Sequence, residues 1–219
     1  MRGLDSERLY LFARALYALA WTTMVTVNLV FMVEVAGLDP LQMVLVGTVL
    51  ELSVFLFEIP TGVVADRVSR RLSVIIGHFL IGVGFLVIVL VPTFQMILLA
   101  QVIWGVGWTF ISGAYPAWLT SEVGVQRANE VMLRASQLSH GVAFVGIGLA
   151  IALAHVALAL PIAVGALTVI GLSVFLLAFM REAHFEPAGE ADRETWRGLG
   201  QTFMAGVHVV SSQQVLILM

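Results

Sequence analysis

Ionisable side chains sit inside strongly apolar stretches of this sequence, and they set the chemistry open to it. Glu51 and Glu58 are seven residues apart, which places them on one face of a helix together with Gly47 and Gly62. A charged group at membrane depth is costly, so each is a functional candidate by default. Glu51 is the deeper and is a candidate proton carrier; the alternative is a structural hydrogen bond to a neighbouring helix through His140 or Gln137. Glu58 is a second coupling candidate, or a residue that holds the Pro60 turn or nearby arginines. Glu122 either joins a charge network with Arg67 or Arg70 or caps a solvated helix end. Imidazoles titrate near neutral pH when unperturbed, which makes His140 a third coupling candidate, against a buried neutral histidine with one hydrogen bond. His78 reads more simply as a structural histidine.

Other chemistries lack their residues. There is no cysteine, so thiolate metal sites, redox pairs and disulfides are excluded. No histidine or acid pair has metal-ligand spacing, and no nucleophile–base set or phosphate loop is present. Neither an enzyme nor a cofactor is expected. Two stripes at 3/4 spacing suit a cavity wall instead: Tyr17, Trp21, Met24 and Asn28, and Gln101, Gly105, Trp108, Ser112 and Tyr115. Aromatics, a methionine and amides make an adaptable, mostly apolar surface with few polar anchors. The competing reading is helix packing or interfacial aromatics.

Membrane helices must position these groups. Of 219 residues, 60% are hydrophobic and only 11% charged, too few to coat a soluble fold of this size. Mean hydropathy is +1.00. The net charge of −3 gives no field for nucleic acid, and disorder needs the opposite composition. Six apolar runs are long enough to span, at about residues 9–33, 41–65, 72–91, 94–119, 131–154 and 157–180. The runs are continuous rather than alternating, which argues against a β-barrel. Ala18-Leu19-Ala20 resembles a signal-peptidase site, but the apolar run continues to Val33 and Arg14 interrupts it, so cleavage is not expected.

All eleven basic residues are arginine. Arg2, Arg8, Arg14, Arg67, Arg70, Arg71, Arg127, Arg134, Arg181, Arg193 and Arg197 all fall on one side of a six-span bundle, and the opposite loops have none. The positive-inside rule places that side, with both termini, in the cytoplasm of a cell membrane. Residues 1–180 form the predicted bundle. Residues 181–206 form a cytoplasmic linker in which Trp196, Leu199 and Phe203, with Val207 just beyond, recur at helical spacing, as in an amphipathic surface helix. Residues 207–219 read as the truncated start of a seventh span.

The junction between spans 2 and 3 reads Gly62-Val63-Val64-Ala65-Asp66-Arg67-Val68-Ser69-Arg70-Arg71-Leu72, preceded by Glu58-Ile59-Pro60-Thr61. It resembles the signature loop G-x-L-A-D-R-x-G-R-R of the major facilitator superfamily, with Ser69 where the pattern has glycine and Val64 for leucine. On physical grounds Gly62 permits close helix approach, Asp66 suits the positive N-terminus of another helix, and the arginines suit acids or lipid phosphate. The resemblance implies that Gly62, Asp66, Arg67, Arg70 and Arg71 form a gating motif, with Glu122 as a candidate partner. It also implies an all-α fold of two inverted three-helix repeats, the N-terminal half of a transporter. Implied partners are a small-molecule substrate, protons, the bilayer, and a missing C-terminal half or a second copy. Gln101-x-x-Trp104-Gly105-x-Gly107 resembles the family's fourth-helix pattern, with Gln101 replacing the arginine tied there to proton coupling. Gly141, Gly146 and Gly148 match the drug-antiporter pattern poorly, whereas Glu58-Ile-Pro-Thr-Gly and Ser112-Gly-Ala-Tyr-Pro-Ala-Trp resemble bacterial multidrug members. The expectation is proton-coupled efflux of an amphipathic solute by alternating access. A nutrient symporter or uniporter, and a non-transporting six-helix scaffold, remain alternatives.

Overall fold

Helix starts and breaks follow local chemistry in the computed structural model, which describes residues 5–185 and Pro187. Among these are α1 (Ser6–Glu34), α2 (Pro40–Arg67), α3 (Arg70–Leu90), α4 (Phe94–Ser112), α5 (Ala114–Val123), α6 (Val125–Ala154) and α7 (Ala159–Phe179). α4 and α5 form one apolar stretch, so six spans result, as the sequence predicts. The shortest has 21 residues, about 31 Å of helix and enough for the hydrocarbon core. The predicted amphipathic helix and seventh-span start lie outside the described residues.

Asp39 and Gln42 form a reciprocal capping box, with Pro40 at the first helical position, so α2 starts where its orphan donors are satisfied. The fourth span breaks at Gly113 because Pro116 offers no N–H and its ring crowds the carbonyl of Ser112. α6 begins at Val125, six residues before its apolar run, because a polar first section is held as helix. Arg127 there makes a fork of bonds to Glu7 of α1, at 2.6 and 2.7 Å, and a third to Glu130 at 2.8 Å. Gly124 separates α5 from α6 at φ 81 and ψ 159, a conformation essentially restricted to glycine.

The extensive helix pairs are α3 with α4, α1 with α6, α2 with α4, α3 with α7, and α1 with α7. Exchanging spans 1, 2 and 3 for spans 4, 5 and 6 maps this set onto itself. Each repeat has an odd number of spans, so the second enters from the opposite side and the repeats are inverted. Glycines permit the two related outer crossings. A Cβ on Gly105 of α4 would lie 2.9 Å from Ser53 Cβ of α2, and one on Gly146 of α6 would lie 2.9 Å from the Leu19 carbonyl of α1. Polar links add to the packing, with Ser173 of α7 donating to the Ile75 carbonyl of α3 at 2.9 Å. In both α2 and α6 only 11% of the most apolar window is buried, against 39% to 56% in the other spans, so these two are the outer helices.

Candidate transport clefts and the arginine loop

The Gly105 crossing brings α2 against α4 and thereby builds the first candidate site. With Ser53 seated on Gly105, Leu50, Glu51 and Val54 of α2 face Trp104 and Trp108 of α4, and Trp21 of α1 completes the wall. The cleft has a volume of about 280 Å³. The Trp21 ring lies 5.4 Å from that of Trp104 and 6.5 Å from that of Trp108, and Phe85 backs the pair at 5.9 and 5.1 Å from Trp21 and Trp104. Glu51 is exposed, and it makes no hydrogen bond or ion pair with any described residue. The alternative hydrogen bond through His140 is therefore not formed. His140 is itself exposed on α6, bonded through Nδ1 to the Ser136 carbonyl at 2.6 Å.

A second cleft, of about 480 Å³, opens further along the same seam. Glu58, Gly62, Asp66, Ser112 and Gly113 are among its lining residues. Nothing lies within 4 Å of a Cβ built on Gly62, so the close approach expected there does not occur among the described residues. Glu58 is exposed and unpaired among them and does not hold the arginines.

The two cavity stripes divide. Trp21 and Trp108 line the first cleft and Ser112 the second. Tyr17, Met24, Asn28, Gln101 and Tyr115 are buried between helices, so they pack the bundle rather than face open space. His78 lies among them, 5.2 Å from the Tyr17 ring and 6.0 Å from that of Tyr115, with Nδ1 2.7 Å from the Val74 carbonyl. Trp104 was absent from the predicted stripes, although it sits three residues after Gln101 and four before Trp108; that spacing was the available signal.

The arginine loop closes on the segment after α7. Ser69 caps α3, accepting from the Leu72 amide at 2.9 Å and donating to Glu182 Oε2 at 2.6 Å. Glu182 Oε1 accepts from the amides of Arg70 and Arg71 at 2.9 and 3.1 Å. A carboxylate thus sits on the positive end of α3, where a helix N-terminus favours an anion. Glycine at position 69 would supply neither hydroxyl bond, so the departure from the signature pattern has a structural consequence. Arg71 donates to the carbonyls of Met180 and Leu177, both at 2.6 Å, and Arg70 to Ser121 at 2.5 Å. Asp66 pairs with Arg70 of the next turn at 3.6 Å instead of meeting another helix N-terminus. Glu122 is not bonded to Arg67 or Arg70. Its Oε1 accepts from the amides of Ala183 and His184 at 2.8 and 3.1 Å, while Trp118 donates to the Arg181 carbonyl at 2.7 Å. Arg67 is exposed without a partner among the described residues. Glu182 escaped sequence reasoning because it lies over a hundred positions from the loop it caps.

Among the described residues no group of histidines and acids is arranged to hold a metal ion. The sites are a carboxylate in an aromatic cleft, a polar cleft, and a charged clamp at the arginine-bearing end.

Known proteins share this architecture. A peptide transporter (POT) crystal structure superposes with a TM-score of 0.61 at 14% identity, over 98% of this chain and 48% of that one. Its likeness concerns the fold alone. The MFS-type transporter YxaM of Bacillus subtilis is 31% identical over 100 residues, 46% of this chain and 25% of its own length. The chain spans about half the length of the solved transporter it resembles. The family model described as Major Facilitator Superfamily matches residues 10–219, and with nearly the whole sequence so matched the chain belongs to that superfamily of membrane transporters.

Proposed function

We propose that this chain is the N-terminal six-helix half of a secondary transporter that moves a small amphipathic solute by alternating access. The solute is exported across the cytoplasmic (inner) membrane in exchange for protons, as in an antiporter. The arginine-bearing end, with the N-terminus, faces the cytoplasm. The observation that carries this reading is the first cleft, where Glu51, unpaired among the described residues, stands beside three tryptophans. A membrane-depth carboxylate without a structural partner in its own bundle is free to exchange a proton or a ligand. The largely uncovered surfaces of α2 and α6 suit a second bundle, either a C-terminal half or a second copy, that closes over both clefts. In this reading the loop of Gly62, Asp66, Arg67, Arg70 and Arg71 regulates opening at the cytoplasmic end, with Glu122 holding the neighbouring segment. Glu58 and His140 are secondary coupling candidates.

The test uses the whole gene product in proteoliposomes under an imposed proton gradient, with a panel of amphipathic solutes. Wild type drives solute against its gradient. Glu51→Gln abolishes gradient-driven accumulation while leaving solute exchange at zero gradient. Undiminished proton-driven flux in Glu51→Gln removes that residue from the coupling role, and no flux of any solute by wild type refutes the transporter reading.

A further inference from the structure

Three indoles and one carboxylate around a small cleft are a specific set of groups. Trp21, Trp104, Trp108 and Glu51 line it with Leu50 and Val54, and no basic side chain is among them. The carboxylate has no cationic or hydrogen-bonding partner among the described residues. The second cleft along the α2–α4 seam is lined by Glu58 and by Asp66, the latter paired with Arg70. On the wall this chain supplies, an anionic ligand would meet a negative charge unpaired among the described residues and no donor beyond the indole N–H groups. A small metal cation would find too few oxygens, because hard cations take six or more oxygen ligands. A neutral apolar ligand would leave the carboxylate desolvated and unpaired, a cost of several kcal/mol. A weakly hydrated organic cation satisfies every wall, with its charge facing the carboxylate and its alkyl groups against ring faces whose quadrupole attracts positive charge.

We propose that this cleft binds a small organic cation, a quaternary ammonium or a protonated tertiary amine, with Glu51 as its counter-ion and Trp21, Trp104 and Trp108 as its aromatic wall. This rests on the transporter reading for its physiological use, and names the substrate class of the same site. The part of the cleft lined by this chain has a volume of about 280 Å³. The packed ring edges explain the shape: Phe85 behind Trp21 and Trp104 holds both indoles in place before a ligand arrives. Pre-set aromatic walls spare the ligand the ordering cost of assembling them.

The experiment titrates tetraethylammonium and choline into the full chain in nanodiscs by calorimetry. A neutral isostere, with carbon in place of the quaternary nitrogen of choline, serves as control. Expected are saturable binding of both cations and none of the isostere. Glu51→Gln weakens binding by about tenfold or more, and Trp104→Leu or Trp108→Leu by roughly 3- to 20-fold. Glu51 is exposed and has no partner among the described residues, so its glutamine variant keeps the fold, checked by helical circular dichroism and elution volume. Equal binding of cation and isostere, no binding of either cation, or unchanged affinity in Glu51→Gln overturns the proposal. The outcomes separate from those of the flux assay. Cation binding without any solute flux keeps this site and refutes transport. Proton-driven flux of other solutes by a protein that binds no cation refutes this site alone.

Discussion

Glu182 should be a principal electrostatic support of the arginine loop. Its carboxylate accepts from Ser69 Oγ and from the amides of Arg70 and Arg71, and so satisfies two of the orphan donors of α3. Hydrogen bonds to an ionised group contribute about 1.5–3 kcal/mol each where water cannot replace them. Glu182 is only half-buried, so water takes over part of that role when the side chain is removed. The net loss for Glu182→Ala is then about 2 kcal/mol rather than the sum of three bonds. For 150–250 residues each kcal/mol shifts Tm by about 2–4 °C, so the alanine variant should melt about 4–8 °C below wild type. Glu182→Gln keeps an acceptor oxygen but loses the charge at the helix N-terminus, about 0.3–1 kcal/mol, and should fall between the two. Glu182→Lys places a cation against α3's positive end and beside Arg70 and Arg71, and should be the least stable. Thermal unfolding in detergent, followed by tryptophan fluorescence at low and high salt, measures the order. The spacing between Gln and Lys variants should narrow at 1 M salt, where the Debye length is about 3 Å. Ser69→Ala should be non-additive with Glu182→Ala, because both remove the same 2.6 Å bond. An alanine variant within about 1 °C of wild type, or a lysine variant no worse than alanine, would refute the capping role of Glu182.

Other perturbations test other parts of the structure. Gly105→Val forces side-chain atoms where Ser53 Cβ would lie 2.9 Å from the new Cβ, so α2 separates from α4 and the aromatic cleft opens; a cysteine pair reporting the α2–α4 distance by spin labelling should show a broadened, longer distribution. Gly124→Ala imposes a Cβ at φ 81 and ψ 159 and should cost about 1–3 kcal/mol, read as a lowered Tm with unchanged helix content. Glu122→Ala removes the acceptor for the Ala183 and His184 amides; hydrogen exchange at those two amides should accelerate while exchange in α3 stays slow.

The sequence alone determined the six spans, and its resemblance to the signature loop implied the three-plus-three architecture. The spans rest on the length of continuous apolar runs, a property local in sequence. The capping box at Asp39 and the break set by Pro116 also rest on residues close in sequence, although the fourth span reads there as one unbroken apolar run over 94–119. Tertiary structure decided which side of each helix faces space. α1 and the α4–α5 span carry stripes that look alike as sequence, yet Tyr17, Asn28, Gln101 and Tyr115 are buried while Trp21 and Trp108 line a cleft. Helical spacing fixes a face, but only the neighbouring helix fixes whether that face is covered. Trp104 and Glu182 acquire their places from partners about fifty and over a hundred residues away, the first through the α2–α4 crossing and the second through the return of the chain after α7. Glu122 was legible as a charged helix end, but its partners, two backbone amides and the His184 ring at 3.5 Å, come from the segment after α7, some sixty residues on.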